Sequence, residues 1–381
     1  YYQRASSADY LGVDPTRRSL TGTGGYVKVG RKGNAKWNFS ETFTWSSPGF
    51  DLNDMGYMKE TDYLMNETEI MYRQTDIWKI FRYNAFTLSQ KNMWNYGGTP
   101  FSNNASLRWQ SMTMNRYEWD VKETFAWNWL DSRLLRGGPD VRFGSYFLTS
   151  AKFNTDKAKR MMFMLKYEGD HNFEGNRFNT ISPSLTFRLG NHVYLSGQLD
   201  YAWNTDEMQY VATTSPLSSS SLTPYYYVMG HMDQKTYGLT LKLQVNVTPD
   251  ISIQFYGAPF TSIAKYDDFK LAADTKSHTF ENRFQRIDPD HLTYADGVYT
   301  IGEGAGQMPF RNPDFRFNEF RSNLVARWEY LPGSTLYFVW EHRMSNRDNW
   351  YSSGWGSNLD RMWGLPATNT FMIKMNYWFN L

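Results

Sequence analysis

Apolar and polar side chains alternate with a period of two along most of this chain. Trp37, Phe39, Phe43 and Trp45 oppose Asn38, Ser40, Thr42 and Thr44, and Leu239, Leu241, Leu243, Val245 and Val247 oppose Thr240, Lys242, Gln244 and Asn246. The same alternation runs through 193–203, 324–330 and 336–341 and ends in Asn369–Leu381, where Phe371, Ile373, Met375, Tyr377 and Phe379 share one side. Successive strand side chains point to opposite faces, so each run is a ribbon with one apolar face and one polar face. No segment longer than a turn or two shows helical periodicity.

The pattern predicts strands at 24–32, 36–46, 61–74, 80–94, 105–118, 122–131, 142–153, 159–168, 178–189, 192–203, 225–247, 251–260, 320–331, 334–344 and 369–381. Short turns are expected at Gly33-Asn34, Thr75–Lys79, Trp119–Val121, Asn154–Ala158, Gly190-Asn191, Thr248–Asp250 and Pro332-Gly333. Long connections are expected at 47–60, 95–104, 132–141, 169–177, 204–224, 261–319 and 345–368. Short turns alternating with long loops suit an all-β fold, an antiparallel up-and-down outer-membrane barrel with periplasmic turns and extracellular loops. Counting directions back from the last strand leaves one outward strand to find, assigned to residues 1–11 with 12–23 as its loop. Sixteen strands are expected, fourteen being the alternative if a shorter run lies in a loop. The whole of 1–381 reads as one barrel domain, the C-terminal part of a longer precursor, since the sequence opens inside a motif-like stretch, YYQRASSADYLG. Ser215–Thr223 reads as a polar tip, and 261–319 as a cap or a plug of the lumen.

Composition sharpens this reading. Aromatic residues make up 18% of the chain, with 15 Trp, 27 Tyr and 26 Phe, more than a soluble core uses and in keeping with girdles at two membrane interfaces. A mean hydropathy of −0.63 and the lack of an apolar run near 18 residues exclude helical spans, not barrel strands. A net charge of +2 gives no electrostatic case for nucleic acid. The absence of cysteine removes disulfides, thiolate metal sites and thiol nucleophiles.

Candidate chemistry is thin. Charges on the polar face, Arg188, Lys242, Arg327, Glu329, Glu341 and Arg343, are expected to face the lumen, the last four meeting as cross-strand pairs around Pro332-Gly333. They line a selective pore or, in the plainer reading, form a ladder that stiffens the wall. The six histidines (His171, His192, His231, His278, His291 and His342) show no catalytic spacing. Asp288, Asp290, His291 and Asp296 form the densest polar cluster, lack a calcium-loop spacing and read as turns. No catalytic residue, metal or cofactor is assigned; a hydrolase at the rim is the weaker alternative.

Several stretches resemble the barrel portion of a Bacteroidota family of uncharacterised outer-membrane proteins, whose longer members carry an N-terminal module like a family-9 carbohydrate-binding domain. They are Ser47–Gly56 (SPGFDLNDMG, with Asn53, Asp54 and Gly56), Leu135–Pro139 (LRGGP, with Arg136, Gly137 and Gly138), Asn312–Phe315 (NPDF), Arg321–Gly333 (with Trp328, Glu329, Pro332 and Gly333), STLYFVWEH and NTFMIKMNYWF. The resemblance implies a bacterial outer-membrane barrel without a settled activity, and the sugar-binding module lies outside these residues. Asn53-Asp54 reads as a turn or bulge, and Arg136–Pro139 as a loop hinge before an anion site. The expected role is a membrane anchor, scaffold or assembly component holding a periplasmic module, an outer-membrane protein or a lipoprotein, in contact with lipid and lipopolysaccharide. A porin-like pore for small solutes such as oligosaccharides is the alternative.

Overall fold

The structure, a computed structural model, describes residues 11, 16, 18–52, 56, 58, 60–217, 225–348 and 355–379. In chain order the strands are β1 (Gly24–Arg31), β2 (Trp37–Ser46), β3 (Tyr63–Gln74), β4 (Phe81–Trp94), β5 (Pro100–Thr113), β6 (Glu118–Trp127), β7 (Trp129–Asp131) and β8 (Val141–Phe143). There follow β9 (Tyr146–Asn154), β10 (Met161–Asn172), β11 (Arg177–Leu189), β12 (Val193–Thr214), β13 (Tyr226–Asn246), β14 (Ile251–Ala272) and β15 (Phe284–Arg286). The chain goes on through β16 (Leu292–Ala295), β17 (Val298–Ile301), β18 (Met308–Arg311), β19 (Phe315–Leu331), β20 (Ser334–Asp348), helix α1 (Trp355–Trp363) and β21 (Thr368–Asn376).

One 16-stranded antiparallel sheet dominates, in the order β1-β2-β3-β4-β5-β6-β9-β10-β11-β12-β13-β14-β19-β20-β21, with β15 added beside β14. Each long strand therefore pairs with the next long strand in sequence, as period-2 ribbons joined by turns do. β1 and β21 are not paired with each other among the described residues, and all nine residues of β21 are exposed. Among the described residues no helix is long and apolar enough to cross a membrane.

Register carries the two-faced pattern from strand to strand. Ala85, Gln110, Asp120, Lys152 and Lys166 are successive partners on the polar face. On the apolar face Phe255, Leu324, Trp340 and Phe371 form one row and Ile253, Ala326, Phe338 and Ile373 the next. At the far end of the β19–β20 hairpin the turn is Pro332-Gly333, where Gly333 takes φ +79, a left-handed conformation that costs a side-chain-bearing residue about 1–2 kcal/mol.

Several sequence expectations are corrected. The turn between β5 and β6 lies at Met114–Tyr117, not Trp119–Val121; Arg116 takes φ 60 there and Thr113 closes the loop onto Tyr117, its hydroxyl accepting from the Tyr117 N–H at 3.1 Å. That moves the strands to 100–113 and 118–127 and cuts the connection before them to 95–99. β12, β13 and β14 run for 22, 21 and 22 residues, so 204–214 and 261–272 are strand rather than loop, as are 315–319 and 345–348. Bulges at Asp206/Gln209 and Met229/His231 break the alternation there, which hides these extensions from a period-2 reading. Residues 142–143 belong to the separate β7–β8 ribbon, and α1 stands where no helix was expected. The last strand ends at Asn376 rather than at the chain end.

Candidate functional site

All six charges expected on the polar face lie there, in different surroundings. Lys242, Tyr256, Asn323, Glu341 and Thr370 are successive partners in one row. Arg188 sits near the turn end and donates to the Lys157 carbonyl at 3.2 Å. Arg327 and Glu329 form an ion pair, but they do not meet Glu341 and Arg343 across the hairpin. The tight turn sets Arg327 opposite Tyr337 and Glu329 opposite Thr335, so Glu341 falls opposite Asn323 and Arg343 opposite Arg321. Arg343 and Arg321 both reach Glu319 instead, at 3.0 and 2.8 Å. Glu329 also accepts the Gly333 N–H at 3.1 Å, so it braces the turn.

The family-motif residues divide similarly. Asn53 and Asp54 lie outside the described residues, and Gly56 is exposed. Arg136, at φ 49, lays its guanidinium over the Tyr210 ring at 4.7 Å, and Gly137 takes φ 111. A Cβ on Gly138 would stand 2.6 Å from the Tyr227 ring and 2.8 Å from the Leu135 side chain, so this stretch is a packing hinge against β12 and β13. Trp328 is exposed on the apolar face. In the Asp288 cluster, Asp288 accepts the Asp290 N–H at 3.1 Å and His291 stands 3.9 Å away. Asp296 and Gly297 take φ 50 and 80 in the two-residue turn between β16 and β17, as Asp-Gly does in a tight hairpin. No group of three or more metal-ligating side chains occurs among the described residues.

What sequence reasoning left open within 261–319, read as a cap or a plug, is its build: a folded assembly at the extended ends of β12–β14. Val228, Met232, Ala264, Tyr266, Phe269 and Leu271 pack under Ile301 and Phe310 from β17 and β18, with Phe269 5.1 Å from the Phe310 ring. A second cluster joins Met208, Met229 and Phe284 to Leu135 and Val141 from the connection between β6 and β9. Val228 pairs with Leu271 and Met229 with Lys270, so the two clusters occupy opposite faces of the extended strands.

Arg283 ties three connections together. Only 1% exposed, it donates to both carboxylate oxygens of Glu174, in the β10–β11 turn, at 2.8 and 2.9 Å. It also donates to the carbonyls of Arg142 at 2.7 Å, Ser277 at 2.8 Å and His278 at 3.3 Å. Such a two-pronged, fully bonded geometry is what a buried ion pair needs to offset desolvation. Burial, with Arg283 close by, lowers the pKa of Arg142. Burial raises Asp314 and Asp206 above the usual carboxylate range and pushes Tyr266 up to about 12. A second buried cation, Arg316, is fully enclosed, pairs with Asp348 and reaches Asn358 of α1 at 3.4 Å. Neither arginine carries a periodic signature in the sequence.

Taken chemically, the polar face offers hydrogen bonds and ion pairs to water or polar solutes, and the assembly on β12–β14 offers two apolar clusters tied by buried ion pairs. His231 stands between Glu207 at 3.1 Å and Asp233 at 3.6 Å. No curated protein and no solved structure matches the chain. A family model described as a domain of unknown function, DUF5916, matches residues 2–381, and the chain belongs to that family.

Proposed function

We propose that this chain is a bacterial outer-membrane β-barrel that works as a membrane anchor, its outer mouth covered by its own loops, holding a periplasmic module or a partner protein. The observation that carries the reading is the buried Arg283–Glu174 pair. It locks the β6–β9, β10–β11 and β14–β19 connections into one body, which suits a fixed cover better than a gate.

Membrane insertion is supported by the apolar face, where large side chains such as Leu195, Leu241, Phe338 and Ile373 remain exposed on strands of a length that spans a bilayer. Fifteen long strands in consecutive antiparallel order leave β1 and β21 running the same way, so one more strand between them closes an even-numbered barrel. The expectation that residues 1–11 supply it concerns residues that are not described, apart from Leu11. A transport pore for small solutes is the second reading, favoured by the unbroken polar row with the Arg108–Asp120 pair, Lys152 and Lys166. A barrel of this strand number leaves an aqueous channel unless something fills or covers it.

Purified protein in planar bilayers separates the two. The anchor reading expects silence from the native chain and conductance from Arg283→Ala, which frees the cover. Steady conductance of the native chain overturns it in favour of the pore.

A further inference from the structure

We propose that the apolar face of β2–β6 and β9 is not exposed to lipid but docks a second membrane protein that presents a lysine or arginine at mid-depth. This rests on the membrane reading above.

Glu41 stands on the apolar face of β2 midway between Trp37 and Trp45, and Glu123 on that of β6 midway between Trp119 and Trp127. At the rise of a strand each carboxylate is about 13 Å along the chain from either tryptophan. If the tryptophans mark the two interfaces, both glutamates lie near the middle of the hydrocarbon. They are not isolated. Glu41 is opposite Thr68, Thr68 opposite Gln90, and beside them Asn66, Asn92 and Asn103 form the next row. Asn66 Nδ2 and Thr68 Oγ1 donate to the two oxygens of Glu41, the latter at 2.6 Å. Thr149 Oγ1 donates to Glu123 at 2.7 Å.

Above and below this belt the same face is apolar, with Phe39, Phe43, Ile70, Phe86, Leu88 and Leu107 all strongly exposed. The equivalent span of β12–β14 and β19–β21 carries no carboxylate: leucine, isoleucine, phenylalanine and tryptophan fill most of it, and the row through Leu241 holds Gly197, Gly257, Ser322, His342 and Asn369. An acid at mid-membrane costs on the order of 2–3 kcal/mol, and a wall that avoids the cost on one side while accepting it twice on the other has two different neighbours. Polar side chains at membrane depth face protein or water rather than lipid.

Charge selects the occupant. Neither glutamate pairs with a cation among the described residues, and each keeps acceptor sites beyond the bonds it makes. A second copy fits poorly, since across a two-fold axis the acidic belt would face itself. Other contacts between copies fare no better. On the apolar face Arg31 and Arg82 stand at turn ends, Arg177 begins β11, and Lys235 and Arg316 share the row of Trp203. A different protein with a basic side chain at belt level satisfies both carboxylates.

The test places a photoreactive benzoylphenylalanine at Gln90, and at Phe338 as the lipid-facing control, in cells of the native host. The expected result is one protein adduct from Gln90, lipid adducts alone from Phe338, and a mapped partner peptide containing Lys or Arg. Glu41→Leu with Glu123→Leu should cut the Gln90 adduct at least tenfold. Glu41→Gln with Glu123→Gln, which removes the charges while leaving each side chain one acceptor oxygen and the protein its folded, heat-modifiable mobility, should do the same. An adduct to a second copy, lipid adducts alone at Gln90, a partner peptide without Lys or Arg, or an adduct indifferent to the glutamine pair overturns the docking surface. A Phe338 probe that reacts with water and not with lipid overturns the membrane reading instead, whatever Gln90 does.

Discussion

The two ends of the same strands are held in different ways. At the turn end, connections are short and most ion pairs are exposed on at least one side: Lys36 with Asp76, and Lys157 with Glu118, have half or more of each lysine exposed, and Arg116 is half exposed over the buried Asp156. At the outer end β12–β14 outrun their neighbours and carry two apolar clusters with the buried cations Arg283, Arg316 and Lys270. Exposed pairs are worth little, whereas a buried pair that loses one partner leaves a charge in low dielectric. The turn end is thus specified by backbone geometry, and the outer end by a second, independent core.

Arg283→Ala tests that difference most severely. It strips the cation from Glu174, which is 12% exposed, and should cost the outer assembly about 3–5 kcal/mol. Hydrogen exchange should rise sharply over 273–311 and 129–143 while β1–β5 stay protected. Phe310→Ala comes next, at about 3 kcal/mol from lost contacts with Phe269 and Tyr299, read by protease cleavage within 292–311. Equal loosening of both ends in either variant would merge the two cores into one.

Asp206→Asn has a smaller effect with a distinct pH signature. Burial holds this carboxyl above its ordinary range, so the native state keeps a proton that the unfolded chain releases. The stability this gives is complete below the ordinary carboxylate pKa and is lost as pH rises through the elevated value. The amide still accepts the Met208 N–H, bonded at 2.8 Å in the native chain, so melting of the assembly should become flatter with pH and higher at pH 7. Lys157→Ala, at the turn end, should change stability by less than about 0.5 kcal/mol, checked by heat-modifiable migration.

How much of this was legible follows from what each element depends on. The long strands depend on local alternation, and the runs at Trp37–Ser46 and Leu239–Val245 announce themselves. The β5–β6 turn did not, because its left-handed position is taken by Arg116 rather than by Gly or Asn. Residues 261–319 were recognisable as a segment too long for an idle loop. Their division into a continued β14, a three-stranded ribbon and β15 depends on bulges and on strands of three or four residues, too short to show a period. Arg283 is one arginine in an ENRF stretch, and its importance comes from residues more than a hundred positions away. Glu41 was visible in its strand all along; its oddity appears only once the register sets Thr68 and Asn66 beside it.

The consecutive order of the sheet also bears on how the molecule forms. Each long strand finds its partner in the next one along the chain, so most of the wall can zip up hairpin by hairpin. In the proposed barrel the margins β1 and β21 flank one closing strand, which brings near each other residues roughly 350 positions apart, and the chain-entropy scaling makes that about 2.5 kcal/mol costlier than closing a single hairpin. Closure of that proposed barrel would then be the slow, late step of assembly, and in the meantime the margin of β21, whose nine residues are all exposed, would stay open to capture by any other strand.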